Sequence, residues 1–204
     1  MKSLSEIETT VKRASKAAGY SWGVSEETGK SIRLLELFSL PGIKHLNEYF
    51  NEKNKRKFEN LNLISENNTS SSNSYCPISL GVSFLDQINL LENYKKKIEF
   101  KNVAYPIIFI SFISRASEII GKKIYLKIDE KKILLNLNVN ISSNFIEQEY
   151  PKIASTIEVD LLENKDNFTE DEWNNLYKLS EETFVEESDS LKEGAAGAGL
   201  TDND

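Results

Sequence analysis

The 204-residue sequence holds one cysteine, Cys76, and one histidine, His45. A lone cysteine permits no intrachain disulfide and fits a reducing compartment. One histidine and one cysteine leave little from which to build a zinc site of the usual ligand type. A Ser-His-Asp system would have to use His45, and no nucleophile-elbow pattern accompanies it. Basic residues are outnumbered, 25 Lys and Arg against 32 Asp and Glu, for a net charge of -7. That balance argues against a general nucleic-acid binder, which needs a basic face to neutralise phosphates. The lysines read as scattered or placed in turns. No apolar run is long enough for a membrane span, and the longest, Ile107 to Ile113, is interrupted by Ser111. The first residues, Met1-Lys2-Ser3-Leu4-Ser5-Glu6, lack the apolar stretch of a signal peptide. Without such a signal, Asn-x-Ser/Thr triplets such as Asn140-Ile141-Ser142 carry no meaning. The expectation is a cytoplasmic protein with neither a nucleic acid nor a membrane as partner.

What is present is ordinary globular composition, 39% hydrophobic and 28% charged, and at this length a single domain is the default. We read residues 1–190 as one α+β domain and 191–204 as a Gly-rich acidic tail. Within the domain, residues 1–52 form a helical hairpin plus a third helix, and 56–190 supply strands and further helices. The whole is an N-terminal helical segment packed on an antiparallel sheet.

Ser3-x-x-Glu6 has the form of a capping box. Leu4, Ile7, Val11, Ala14 and Ala18 then recur at helical spacing, and Gly19 is a stop. Ser25 is the expected N-cap of a second helix, and Pro41 suits the first turn of a third. Leu61 and Leu63 alternate as in a short strand, ahead of a polar loop over 67–74. Gly81 precedes a helix carrying Leu85, Ile88 and Leu91, and Ile98 and Phe100 suggest a strand. Pro106 to Ile120, closed by Gly121, reads as a buried helix. Ile124, Leu126 and Ile128, a charged turn, and then Ile133, Leu135, Leu137, Val139 and Ile141 read as an antiparallel hairpin with one buried face. Ile157, Val159 and Leu161 form another strand. Thr169-x-x-Glu172 opens a last helix bearing Trp173, Leu176, Leu179 and Phe184.

The stretch Trp22-Gly23-Val24-Ser25-Glu26-Glu27-Thr28-Gly29-Lys30, followed by Arg33 and by Leu40-Pro41-Gly42, resembles the N-terminal signature of an uncharacterised bacterial family. That family is labelled domain of unknown function 3726. The ending from Gly194 to Asp204 is similar to the family's C-terminus. A weaker similarity covers Cys76-Pro77 through Gly81, Pro106, and Arg115 to Gly121. Ser15 and Lys16 stand where the family often has Arg or Ala in a longer helix, a departure read as drift. The resemblance implies kinship and no particular chemistry.

The candidate binding residues are Trp22, Glu26, Glu27, Lys30, Arg33 and Arg115, with Thr201, Asp202, Asn203 and Asp204 at the tail. Helical spacing puts Glu26, Lys30 and Arg33 near one face, either as a solvated ladder or as the wall of a pocket. Trp22 is expected to be mostly buried between the first two helices. Gly29 marks a close approach, with packing the safer reading. Cys76 is expected to be a buried structural thiol, since nothing brings His45 to it. Arg115, inside an apolar helix, either reaches the surface or enters an ion pair, with Glu118 a nearby partner. The tail combines small residues with acids, as a docking peptide would. Its acids could also ligate a hard cation, but nothing supplies the rest of a shell, so no metal or other cofactor is expected.

Two functions follow. One is a cytoplasmic binding or accessory protein acting with a metabolic enzyme or a small ligand. The other is a small-molecule enzyme, a hydrolase or lyase, using carboxylate and Arg/Lys side chains whose pKa values burial would have to shift.

Overall fold

The computed structural model describes residues 2–94, 96–135, 141–143 and 150–183. The chain divides into two compact units, Met1–Asn164 and Lys165–Asp204. The first holds α1 (Leu4–Ala17), α2 (Trp22–Leu37), α3 (Gly42–Lys53), β1 (Asn67–Thr69), α4 (Pro77–Leu91), β2 (Ile98–Ala104), α5 (Pro106–Ile120), β3 (Ile124–Ile128), β4 (Lys131–Leu135), β5 (Ile141–Ser143) and β6 (Ile153–Leu161). The second holds α6 (Glu170–Glu181). The fold is α+β, with helices leading and strands following.

The sheet runs in the order β1-β2-β6-β3-β4-β5, antiparallel except where β1 lies parallel to β2. Its buried face is written in the alternation of the sequence. Phe100 opposes Ile157, Ile98 and Leu126 both oppose Val159, and Leu126 also opposes Ile133. All six are at most 1% exposed. The other face is charged, with Glu158 taking Lys97 at 3.5 Å and Lys127 at 3.7 Å. One apolar and one solvated face is what an antiparallel sheet with a single covering layer requires. The cover centres on α5, where Ile107, Ile108, Phe109, Ile110, Phe112 and Ile113 are all buried. A helix apolar all round must be enclosed, and α5 touches α2, α3 and α4 as well as β3 and β4.

Several local expectations are corrected. The N-cap of α2 is Ser21, whose hydroxyl accepts the Val24 N–H at 3.3 Å; Ser25 sits buried one turn later and donates back to the Ser21 carbonyl. α4 begins at Pro77, and Gly81 lies inside it because a Cβ there would collide with the Phe112 ring. Leu61 and Leu63 form no strand: Gln87 instead holds this segment, accepting from Ile64 N and donating to the Asn62 carbonyl. The polar loop contains β1, since the buried Asn68 carboxamide satisfies itself on Ser65 and Glu99 carbonyls. Ile133 to Ile141 is not one strand, because β4 pairs antiparallel with β5, Leu135 opposite Ile141. Leu137 and Val139 lie outside the described residues. At Ser3 half of the capping box forms, since the Glu6 carboxylate goes to Lys2 at 2.6 Å.

In the second unit α6 opens on a complete capping box, Glu172 N–H to Thr169 Oγ1 and Thr169 N–H to the Glu172 carboxylate. Trp173, Leu176 and Leu179 are each more than half exposed, and no described residue of this unit is buried. Phe184 lies outside the described residues.

Candidate functional site

The charged candidates of α2 and α5 do come together, as a network that staples helices. Glu26 takes Lys12 of α1 at 2.9 Å and Lys30 at 3.2 Å. Arg33 reaches Glu8 of α1 at 3.1 Å. Glu27 receives Lys30 at 3.0 Å and Arg115 of α5 at 2.5 Å. The partner of Arg115 is therefore Glu27, not Glu118, because the α5 surface it occupies faces α2. Burial pushes the Glu27 carboxyl up, but hydrogen bonds and charge from Lys30 and Arg115 prevail and hold it below the ordinary carboxylate range. The hydrogen bonds of Lys12 and Lys30 lower Glu26, and those of Glu27 and Glu26 raise Lys30. Every charge in the set already faces its opposite. Gly29 lets α1 pack here, since a Cβ would lie 2.8 Å from the Glu8 carbonyl oxygen.

Trp22 is 57% exposed, contrary to the expectation that it is buried. As the first residue of α2 it projects outward from the corner, with the Lys16 ammonium 5.5 Å from its ring centroid. Thr201, Asp202, Asn203 and Asp204 lie outside the described residues.

The structure assembles a different set of residues. A cleft of ≈ 420 Å³ opens between Tyr20 at the α1–α2 corner, the end of α3 with the segment after it, and the start of α4. Tyr20, Tyr49, Lys53, Arg56, Lys57 and Cys76 line it, with Phe58 and Asn60 at its side. On its floor three groups form a ring: Tyr20 Oη to Tyr49 Oη at 2.7 Å, Tyr49 Oη to Cys76 Sγ at 2.9 Å, and Tyr20 Oη to Cys76 Sγ at 3.3 Å. Cys76 is buried and is the N-cap of α4, accepting the Ser79 N–H at 3.3 Å. Burial first, and then the adjacent Cys76 sulfur, push both tyrosine hydroxyls up from the ordinary phenol range. They stay protonated.

Around this floor stand three cations. Lys53 donates to the Ala18 carbonyl at 2.8 Å and lies 5.0 Å from the Tyr20 ring centroid. Arg56 pairs with Glu52 and covers the Phe58 ring at 4.7 Å. Lys57 has no ion-pair partner among the described residues. None of the charged candidates of α2 and α5 lines this cleft.

The segment carrying Lys57 and Asn60 is pinned by Glu59. Its carboxylate accepts the successive N–H groups of Ser71, Ser72 and Asn73 at 2.8 to 3.1 Å. Those backbone bonds, Asn73 first, hold Glu59 down to about 2. The serine- and asparagine-rich loop thus serves as an anion nest filled by the protein's own side chain.

Two local signals of this site are present in the sequence, although neither is read as a site there. Cys76-Pro77 is itself a helix start, with proline in the first turn. Lys53-Asn54-Lys55-Arg56-Lys57 is a dense basic run in an acidic chain, at the turn that closes α3, in keeping with the reading of lysines as scattered or placed in turns. Tyr20 and Tyr49 are far apart in sequence, and no spacing announces their meeting.

Residues 2–75 match the family described as Protein of unknown function (DUF3726). The match bears out the kinship read from Trp22 to Lys30 and Leu40-Pro41-Gly42, and it takes in every lining residue of the cleft except Cys76. No curated protein and no solved structure matches the chain.

Proposed function

With the family relationship of residues 2–75 as the premise, we propose that the chain is a non-catalytic binding protein for a small anion, accessory to the metabolism that makes or consumes it. One observation carries this reading. A protein of net charge -7 gathers Lys53, Arg56 and Lys57 around a single cleft, and two of the three have no carboxylate partner among the described residues. Unneutralised cations beside a concave, partly apolar surface favour an anion, whose charge is desolvated less completely there than in a closed core. The tyrosine hydroxyls are held by one another and by Cys76 and keep the floor neutral, and the N-terminus of α4 contributes its positive dipole end.

The enzyme alternative, working through Glu26, Glu27, Lys30, Arg33, Arg115 and the tail acids, draws no comparable support, because each of the five helical charges is already matched and the tail acids lie outside the described residues.

Calorimetric titration of the full chain with inorganic phosphate at low ionic strength tests the proposal. Binding is expected to weaken as salt is added, and Lys57→Glu is expected to weaken it by about tenfold or more, the effect of 1.4 kcal/mol. Affinity that ignores the charge at position 57 would count against the cleft.

A further inference from the structure

Beside the cationic cleft lies a second one, of ≈ 330 Å³, and the two share Gly19, Tyr20 and Asn60 as a common wall. The second has no charged lining residue. Its walls carry Ser21, Asn62, Ser79 and Ser83, with Val24 and Val82 between them. Ser79, Val82 and Ser83 belong to the first two turns of α4, and Asn62 to the segment held by Gln87.

The side chains of Asn60, Asn62, Ser79 and Ser83 make no hydrogen bond to any described residue. Each of these hydroxyls and carboxamides can both donate and accept. Such groups suit a neutral partner that also does both, which is the chemistry of a hydroxyl-bearing body. Neighbouring valines suit the C–H faces of the same body.

Resting on the anion-binding reading above, we propose that the ligand is a sugar phosphate. Its phosphate lies among Lys53, Arg56 and Lys57, and its polyhydroxylated body passes Tyr20 into the Asn62–Ser79–Ser83 cleft. Tyr20 is the fixed divider, since its hydroxyl is held by Tyr49 at 2.7 Å and by Cys76 at 3.3 Å. A phosphate monoester is a dianion near neutral pH and meets a compact set of cations better than a single carboxylate does.

The test uses the full chain and three probes: inorganic phosphate, glucose 6-phosphate and glucose. Glucose 6-phosphate should bind at least about tenfold more tightly than phosphate, the effect of one or two further net hydrogen bonds. Glucose alone should bind far more weakly than either. Val82→Phe, which fills the second cleft, should bring glucose 6-phosphate down to the affinity of phosphate while leaving phosphate unchanged. Because Val82 packs partly against the core, the exposed Asn62→Ala serves as a second variant and should cut the same excess several-fold. Lys57→Glu should weaken both anionic probes. Equal affinity for phosphate and glucose 6-phosphate, both lost in Lys57→Glu, would overturn the sugar phosphate and leave the anion site standing. Failure of both anions to bind would overturn both readings.

Discussion

The Tyr49 hydroxyl lies 2.9 Å from the Cys76 sulfur, so the cap of α4 and the middle of α3 are joined by a buried polar contact. Tyr49 is fully buried and also meets Phe58 at 5.0 Å and Tyr105 at 5.8 Å between ring centroids. The floor of the cleft is thereby part of the core. Cys76→Ser keeps both the cap and an acceptor for the tyrosines, and it should hold stability within about 1 kcal/mol. Cys76→Val removes the cap and leaves buried hydroxyls short of a partner, and it should cost about 2–3 kcal/mol. Urea denaturation of the two variants separates these outcomes; equal losses would mean that the sulfur's polar contacts contribute nothing.

Trp22→Ala should be mild. The ring is more than half exposed, with the Lys16 ammonium over it. A surface cation–π contact is worth about 0.5–1 kcal/mol, well below the roughly 3–5 kcal/mol of a large core truncation. The melting temperature measures it, and a core-sized loss would place the indole inside.

The glycines of the helices should divide by what surrounds them. Gly81→Ala drives a methyl into the Phe112 ring, and Gly29→Ala drives one against the Glu8 carbonyl. Each should cost about 1–3 kcal/mol from overpacking, despite the better helix propensity of alanine. A methyl group at Gly23 would meet nothing within 4 Å, so Gly23→Ala should be neutral or stabilising by up to about 1 kcal/mol. Chemical denaturation of the three variants checks the order.

The Glu27–Arg115 contact ties α2 to α5 across 88 residues of sequence. Arg115→Leu should cost about 1.5–3 kcal/mol, as for a hydrogen bond to a charged group, nearer the low end because Lys30 remains on Glu27. The pH dependence has a definite sign. The folded carboxyl of Glu27 lies below its ordinary value of 4.5. Its contribution is therefore full above that value and is lost as pH falls through the lower folded one. Wild type should lose stability below about pH 4.5, and Glu27→Gln should lose less over the same range. Urea midpoints at about pH 6 and about pH 3.5 give the comparison; identical slopes would remove Glu27 from the acid response.

Much of the fold was legible because two periods were clear. The alternation of Ile124, Leu126 and Ile128, and of Ile157 and Val159, follows directly from burying one face of a sheet. Pro106 and Gly121 bracket α5 as a proline start and a left-handed glycine end. Sequence patterns mislead where side chains take over the work of a ladder, as Gln87 does for Ile64, or where one alternation spans two strands, as at Leu135 and Ile141. Helical spacing brought Glu26 and Lys30 together correctly but could not tell a staple from a pocket. The cleft depends on Tyr20, Tyr49 and Cys76 meeting from three elements, a long-range fact that no local pattern encodes.

Titration of isotopically labelled protein with inorganic phosphate, followed by amide chemical shifts, tests the anion cleft most directly. Shifts concentrated at Gly19, Tyr20, Lys57, Asn60 and Ser79, saturating together and absent in Lys57→Glu, are the expected result. Saturating shifts centred on Glu26, Glu27 and Arg115 instead, or no saturable shifts around Tyr20 at all, would contradict it.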